Sequence, residues 1–446
     1  MRARDRFKYW SRWVTMHGIS RAALLTQVRK MPLADFLLGP DRAENHYRYI
    51  EAIRARGPIA PTRATGLVFT GLELTREILR DNRYVTAAPN NLPSPVLPPR
   101  LSRWIYAKTE PGLPNPVEPP AMLAVDPPEH TRFRKLVSKA FTPRAVSKLE
   151  DRVREVTVEL LDGLEQGASA DLLEDYASQL PVAIIAEMLG VPRTDAPFLL
   201  QWGNHGATLL DVGMPWTAYR DATQALTEID SYFDAHLIRL RKELAQDPTI
   251  DGILASIVRD GGLDDRELKA TMALLLGAGF ETTVNLIGNG IVALLRHPEQ
   301  LAFLRENPDG WPNAIEEILR YDSPVQLTAR VATQTIQFPG HTLEAGAMAV
   351  LLLGGANRDP AVFDQPDVFD VCRTNAREHV AFGSGIHVCL GASLARMEGV
   401  VALQSLFERF PDLALAADPT PGEHVNLHGF GSLPVNLGRA RVRASS

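Results

Sequence analysis

The sequence predicts a mainly α-helical chain with small β-sheets, organised as a single unit. Three observations predict this class. Apolar residues recur at helical spacing through most of residues 148–410. One pattern of roughly thirty residues runs from 264 to 296, and at ~1.5 Å per residue it makes a helix ~45 Å long, enough to cross the whole protein. Period-two alternation, the strand signal, is confined to short stretches at 59–70, at 325–353 and after residue 410.

Two strings carry chemistry. Residues 379–391 read His-Val-Ala-Phe-Gly-Ser-Gly-Ile-His-Val-Cys-Leu-Gly. Gly383 and Gly385, two apart, permit a tight loop that side chains would block. Cys389 follows, then Gly391 and a helical pattern over 392–410 with Leu394, Val401, Leu403 and Leu406 among its apolar positions. A cysteine just ahead of a helix sits where the amides and the dipole favour negative charge, which predicts a stabilised thiolate. Such a sulfur is a nucleophile or a metal ligand. Attachment of c-type haem is excluded, because no Cys-x-x-Cys-His is present. Within the long helix lies Ala278-Gly279-Phe280-Glu281-Thr282-Thr283. Gly277 and Gly279 each weaken a helix by roughly 1 kcal/mol. The expected reason for them is close approach of the backbone to a flat ligand, while a Thr hydroxyl takes over a freed backbone bond and opens a groove for oxygen and water.

Together these strings resemble the cytochrome P-450 superfamily, the haem-thiolate monooxygenases, in its soluble bacterial, actinobacterial-like form. Phe382-Gly383-x-Gly385-x-His387-x-Cys389-x-Gly391 matches the family's haem-ligand loop, and residues 278–283 match its acid–alcohol motif. The resemblance covers residues 45–438, with five separated motifs in the family's order. It implies the P-450 fold, with b-type haem (iron protoporphyrin IX) buried between the long central helix and the Cys loop. Cys389 becomes the axial iron ligand, pushing electron density onto the iron to favour O–O cleavage. Glu281 is the acid and Thr282 the alcohol, delivering protons to the distal oxygen. Ala278, Gly279, Phe382, Gly383 and Gly391 lie against the haem.

Composition narrows the alternatives. The chain has 446 residues with 45% apolar content, enough for a large core. Length over-counts domains when one fold wraps a cofactor, so residues 45–446 are expected to form one domain after a basic N-terminal extension, 1–44. The two cysteines, Cys372 and Cys389, exclude a disulfide framework, a zinc cluster and a cysteine-ligated iron–sulfur cluster. Such cysteine poverty suits the reducing cytoplasm. A net charge of −6 argues against a general nucleic-acid binder. Residues 1–40 carry net +6, and residues 41–446 carry −12, from 39 Lys/Arg against 51 Asp/Glu. No long apolar core follows Lys8, so no signal peptide is expected. Residues 271–295 are long enough to span a membrane, but Glu281, Thr282, Thr283, Asn285 and Asn289 in their middle argue instead for a buried helix lining a cavity.

The remaining elements follow in order. Residues 1–40 place Phe7, Trp10, Trp13, Val14 and Leu24 among six basic residues. A basic amphipathic helix in peripheral contact with a membrane is one reading, packing on its own domain the other; most soluble bacterial members of the family lack so long an extension. Residues 46–56 read as a helix, 59–70 as a hairpin and 72–80 as a helix. Twelve prolines between 89 and 128 predict a stiff, irregular loop without long helices, which resembles the family's substrate-recognition loop. Pro127, Pro128 and Glu129 suit a helix start. His130 and Arg134, four apart and on one face, are the family's first two haem-propionate ligands; Arg330 takes the third such position and His387 the fourth. Helical patterns over 148–164, 178–189 and 194–210 precede a break at 211–216 and a long helix to about 244. The family uses that helix–loop–helix as the pocket's roof. Asp264 and Glu267 form a capping-box-like start for the central helix. Glu317, Arg320 and Arg373 resemble the family's structural triad, which braces the Cys loop. Residues 325–353 alternate like a small sheet with a turn at Pro339-Gly340, and short β-like pieces follow residue 410.

The implied reaction inserts one oxygen atom from O2 into a lipophilic small molecule. Leu92, Leu210, Ala278, Val325, Leu327, Phe430 and Leu433 suggest an apolar pocket. The chain holds no flavin or nicotinamide fingerprint: Gly383-x-Gly385 lacks the strand and the acidic residue that a dinucleotide site needs. Electrons from NAD(P)H are therefore expected through a ferredoxin or flavodoxin and its reductase. Arg132, Lys135 and Lys139, on the helix face opposite His130 and Arg134, form an expected cationic docking stripe. A non-catalytic haem-thiolate sensor or carrier, or a peroxide-driven peroxygenase, is the alternative; the intact Glu281–Thr282 pair counts against both.

Overall fold

The computed structural model describes residues 3–62, 66–89, 91, 99–250 and 252–440. Its core is built on the helix Asp265–Arg296. The Glu267 amide donates to the Asp264 carboxylate at 2.8 Å, and the Glu267 side chain accepts from the Asp264 amide at 3.0 Å, a complete capping box. Every residue from Thr283 to Leu294 is buried. Gln179–Met188, Ala196–Ala207, Trp311–Tyr321 and Ala392–Arg409 pack against this helix. Its length and apolarity would allow a membrane span, but neighbouring helices bury 67% of its most apolar window. A helix apolar all round belongs in such a core.

Beside the helices stands a five-stranded sheet in the order Ile59–Pro61, Gly66–Phe69, Met348–Leu352, Leu327–Ala332, Tyr84–Thr86. The first two strands form the expected hairpin, with Ile59 opposite Phe69. Gly66–Phe69 then runs parallel to Met348–Leu352, a pairing across some 280 residues that alternation alone does not specify. Arg330 is held in the sheet between Ala349 and Thr86. Ile336–Phe338 and His341–Leu343 close the small hairpin around Pro339-Gly340.

One expectation changes, and one alternative is decided. The proline-rich stretch contains a helix, Pro99–Thr109, because residues 100–109 are free of proline and Pro99 stands at its start. The N-terminal segment packs on the rest of the chain. Arg12 is fully buried, paired with Glu118, and donates to the Tyr106 carbonyl at 2.9 Å. Trp13 Nε1 donates to the Met214 carbonyl at 2.9 Å, and Arg21 to that of Gly213 at 2.7 Å. These bonds join the segment to the proline-rich loop and to the break at 211–216, between Ala196–Ala207 and the 31-residue helix Trp216–Gln246. Phe7 and Trp10 remain exposed.

Candidate active site

Two charged networks fix the Cys loop to the helix Trp311–Tyr321. In the first, Arg320 makes a fork to Glu317 at 2.6 and 2.8 Å, and Arg373 Nε reaches the same carboxylate at 3.2 Å. The remaining guanidinium donors find the carbonyls of Asn357, Asp364, Pro366 and Val368. Asn357 completes the link to the loop, its side-chain oxygen accepting from the Val380 amide at 2.7 Å. In the second, Glu316 lies 3.0 Å from His379 Nε2 and accepts from Arg396 at 2.8 and 3.1 Å. Burial works against its charge, but His379 and Arg396 hold the carboxyl down at about 2. Sequence reading named Glu317, Arg320 and Arg373 and missed Glu316, Asn357 and Arg396. Adjacent glutamates on a helix point ~100° apart, which is the signal that Glu316 and Glu317 serve different partners.

Within the loop, Gly383 and Gly385 both have φ +70°. A Cβ on Gly385 would lie 2.2 Å from the Leu79 carbonyl oxygen, so only glycine allows the loop to pass there. The Cys389 amide donates to the Phe382 carbonyl at 2.9 Å, and the Arg396 guanidinium lies 4.5 Å over the Phe382 ring. Gly391 caps the helix Ala392–Arg409. Cys389 itself is accessible, yet enclosed by enough protein that burial raises its thiol pKa. The Gly391 backbone, Arg134 and Arg396 pull the other way and do not prevail. Among the protein's own groups, desolvation outweighs the helix-end stabilisation expected for the thiolate.

A second group of basic side chains lies near this sulfur. The rings of His130 and His387 are 4.2 Å apart, and the Nε2 atom of each is buried without a hydrogen-bond partner. Arg134 has no hydrogen-bond or ion-pair partner among the described residues, and Arg330 reaches only the Ala329 carbonyl at 2.8 Å and, weakly, Thr328. Asp126 is the acid that acts on His130 and Arg330, and its oxygens already accept from Thr86 at 2.9 and 3.0 Å. Burial lowers the pKa of all four; for His387, burial together with Arg330, His130 and Arg134 brings it to about 3. Buried ring nitrogens without partners, set beside two guanidinium groups, describe a site for an anion. The four expected propionate ligands are thus brought together, and their chemistry fits the two carboxylates of haem.

On the central helix, Thr282 Oγ1 donates to the Ala278 carbonyl at 2.7 Å and Thr283 Oγ1 to that of Gly279 at 3.0 Å. Glu281 is half-buried, and burial raises its pKa; His424 opposes the rise. His424 Nδ1 lies 3.2 Å from the Asp211 carboxylate, whose other oxygen accepts from the amides of Val425 and Asn426. Sequence reading missed His424, since its approach to Glu281 spans more than 140 residues. At Gly279 a Cβ would meet Ile185 Cδ1 at 3.2 Å, so its small size also serves helix packing.

The apolar set divides. Leu210, Ala278, Val325 and Phe430 are partly exposed. Leu433 is fully buried in the main core, and Leu327 is buried among Phe36, Ile50 and Val350. Leu92 lies outside the described residues. The cationic stripe is also corrected. Arg132 pairs with Glu267 and Lys139 with Asp260 at 3.0 Å, which leaves Lys135 as its unpaired member among the described residues.

Comparison with known proteins agrees with this geometry. The family model described as Cytochrome P450 matches residues 107–310 and 312–430. The chain is 42% identical over 440 residues to "Putative cytochrome P450 140" of Mycobacterium tuberculosis, covering 97% of this chain and 98% of that one. It is 37% identical over 389 residues to the biotin biosynthesis cytochrome P450 of Bacillus subtilis, covering 86% and 94%. Among solved structures, Mycobacterium smegmatis CYP164A2 superposes with a TM-score of 0.79 at 33% identity, covering 91% of this chain and 99% of that one. P450BioI, in complex with an acyl carrier protein ligated to hexadec-9Z-enoic acid, gives 0.77 at 35%, covering 89% and 99%.

Proposed function

Since this chain belongs to the cytochrome P450 family and is a haem-dependent monooxygenase, we propose that it oxygenates a lipophilic small molecule, using electrons passed from NAD(P)H through a separate ferredoxin or flavodoxin and its reductase. The observation that carries the site assignment is the cluster of His130, Arg134, Arg330 and His387, in which both ring Nε2 atoms lack a hydrogen-bond partner among the described residues, beside an accessible cysteine. When bound, haem supplies the activation of dioxygen, which no side chain here provides. Cys389 would hold the iron and His130, Arg134, Arg330 and His387 the propionates, with Phe382, Gly383, Gly391, Ala278 and the Gly279 backbone available to border the ring.

Glu281 and Thr282 of the central helix manage protons. Burial keeps a proton on Glu281 to higher pH than on an ordinary carboxyl, which suits a general acid. Thr282 donates to the Ala278 carbonyl, so its oxygen lone pairs remain free to accept from a water that passes the proton onward. Leu210, Val325 and Phe430, with Ala278, give the substrate an apolar surface. Relatives are named for biotin biosynthesis, polyketide biosynthesis and vitamin D(3) 25-hydroxylation, which supports a lipophilic class and no single member of it. We assign the reaction to the cytoplasm, and the N-terminal segment to the pocket mouth rather than to a membrane.

The test is dioxygen uptake by the haem-loaded protein with NAD(P)H, a ferredoxin or flavodoxin system and a lipophilic compound that shifts its spectrum. Uptake should need both the partner and the compound. In Thr282→Ala, product per dioxygen should fall by at least ~10-fold while peroxide rises, with haem and substrate binding near normal. Full coupling in that variant would remove the proton relay. Turnover with peroxide alone, independent of the partner, would favour a peroxygenase.

A further inference from the structure

Away from the catalytic centre, three ligating side chains from distant parts of the chain meet. His46 comes from the helix Arg42–Arg54, Asp322 from the end of Trp311–Tyr321, and His428 from the final loop. Their ligand atoms all lie within 4.8 Å of one another. We propose that His46, Asp322 and His428 bind a divalent transition-metal ion of the zinc class, which ties the N-terminal helix to the core.

The ligand set is right for such an ion. Two imidazoles and one carboxylate suit zinc and its neighbours, and three protein ligands leave a position for water. Each ligand is also positioned by a neighbour, as metal ligands are. The Tyr47 hydroxyl lies 3.1 Å from Asp322 Oδ1. The His46 ring lies 4.1 Å from that of Tyr47, and its Nε2 is a buried atom with no hydrogen-bond partner among the described residues. Asn289, on the central helix, donates to the carbonyls of both Asp322 and His428, at 3.0 and 3.2 Å. The His428 amide donates to the Pro324 carbonyl at 2.8 Å, which fixes the loop further.

Two features work against tight binding. Ligands ~2.0–2.1 Å from zinc in a tetrahedral site stand roughly 3.4 Å apart, so the cluster must contract. His428 Nε2 and Asp322 Oδ1 are already 3.0 Å apart, and the two histidine rings 3.7 Å, so the contraction falls mainly to rotation of those rings. Arg358 lies 3.5 Å over the Tyr47 ring and adds a nearby positive charge. It is tethered by the Tyr321 carbonyl at 2.6 Å and by Asp367 at 3.2 Å, and Asp322 supplies a compensating carboxylate.

Zinc is the probe. The haem-loaded protein, stripped with chelator, is dialysed against ZnCl2 and its zinc-to-haem ratio and melting temperature are measured. Wild type should retain one equivalent and melt higher with zinc. His46→Gln and His428→Gln, compared at matched haem content, should each bind at least ~10-fold more weakly, and Tyr47→Phe about 10-fold. Cys372→Ser, which removes the exposed thiol, should bind as wild type does. No retained zinc in wild type, or equal retention by the histidine variants, would overturn the site and leave a hydrogen-bonded brace only. Because Tyr47→Phe removes one hydroxyl at the cluster's edge, it reads the site even where a histidine variant folds poorly.

Discussion

Two cationic clusters flank the Cys loop, and they differ in whether their donors have acceptors. Around Glu317, Arg320 and Arg373 meet a shared carboxylate and a ring of backbone carbonyls. Around His130 and His387, two buried ring nitrogens have no acceptor and Arg134 has no partner among the described residues. Both clusters gather basic side chains. Only the first is complete within the chain. A buried group left unsatisfied costs on the order of 1–3 kcal/mol, so the second cluster is tolerable because an anion from outside completes it. The distinction between a brace and a binding site is thus written in hydrogen-bond bookkeeping, not in residue type.

Breaking the first cluster should have the larger effect. Glu317→Ala leaves two buried guanidinium groups uncompensated, a loss of about 3–5 kcal/mol. Denaturant unfolding should show it in protein with and without haem alike. The second cluster should respond with a split. Arg134→Ala should leave the haem-free fold as stable as before, since it removes a poorly solvated charge. Haem affinity should fall by roughly 10- to 100-fold, matching the ~1.5–3 kcal/mol of a hydrogen bond to a charged group. Haem titration beside melting curves of both forms checks this. Equal destabilisation of the two forms would make Arg134 a brace as well.

Much of this was legible in the sequence because the signals are local. The capping box at Asp264 and Glu267, the glycines of the Cys loop and the spacing of His130 and Arg134 lie within a few residues of each other. What was not legible depends on partners brought from far away. Arg132 and Lys139 look like a free stripe until Glu267 and Asp260, more than a hundred residues on, pair with them. Leu433 and Phe430 look equally suited to a pocket, and only the three-stranded sheet that includes Pro434–Asn436 and Ser169–Asp171 sends Leu433 into the core. The Cys389 thiol shows the same limit. Its helix-end position is local, whereas the burial that outweighs it is a property of the whole fold.

The smallest expected effect sharpens the comparison through pH. In the haem-free protein His387 is held near 3 and His130 below its usual value. Folded-state pKa values below the unfolded ones give stability that is present above the unfolded value and lost as pH falls. That loss runs from about pH 6.5 down to about 3 for His387. Propionate carboxylates beside these rings would raise both pKa values and reverse the trend. The stability gap between haem-loaded and haem-free protein should therefore widen as pH falls from ~7 to ~5, and His387→Gln should reduce the widening. Parallel pH profiles for the two forms would argue that these histidines do not face the propionates.

The central claim is that Cys389 binds the iron, and its spectrum tests this most directly. The ferrous carbonyl complex of the wild-type protein should show the far-red-shifted Soret band of thiolate ligation. Cys389→Ser should lose that band while Cys372→Ser, altered at an exposed thiol, keeps it. Retention of the band in Cys389→Ser, or its loss in Cys372→Ser, would contradict the account.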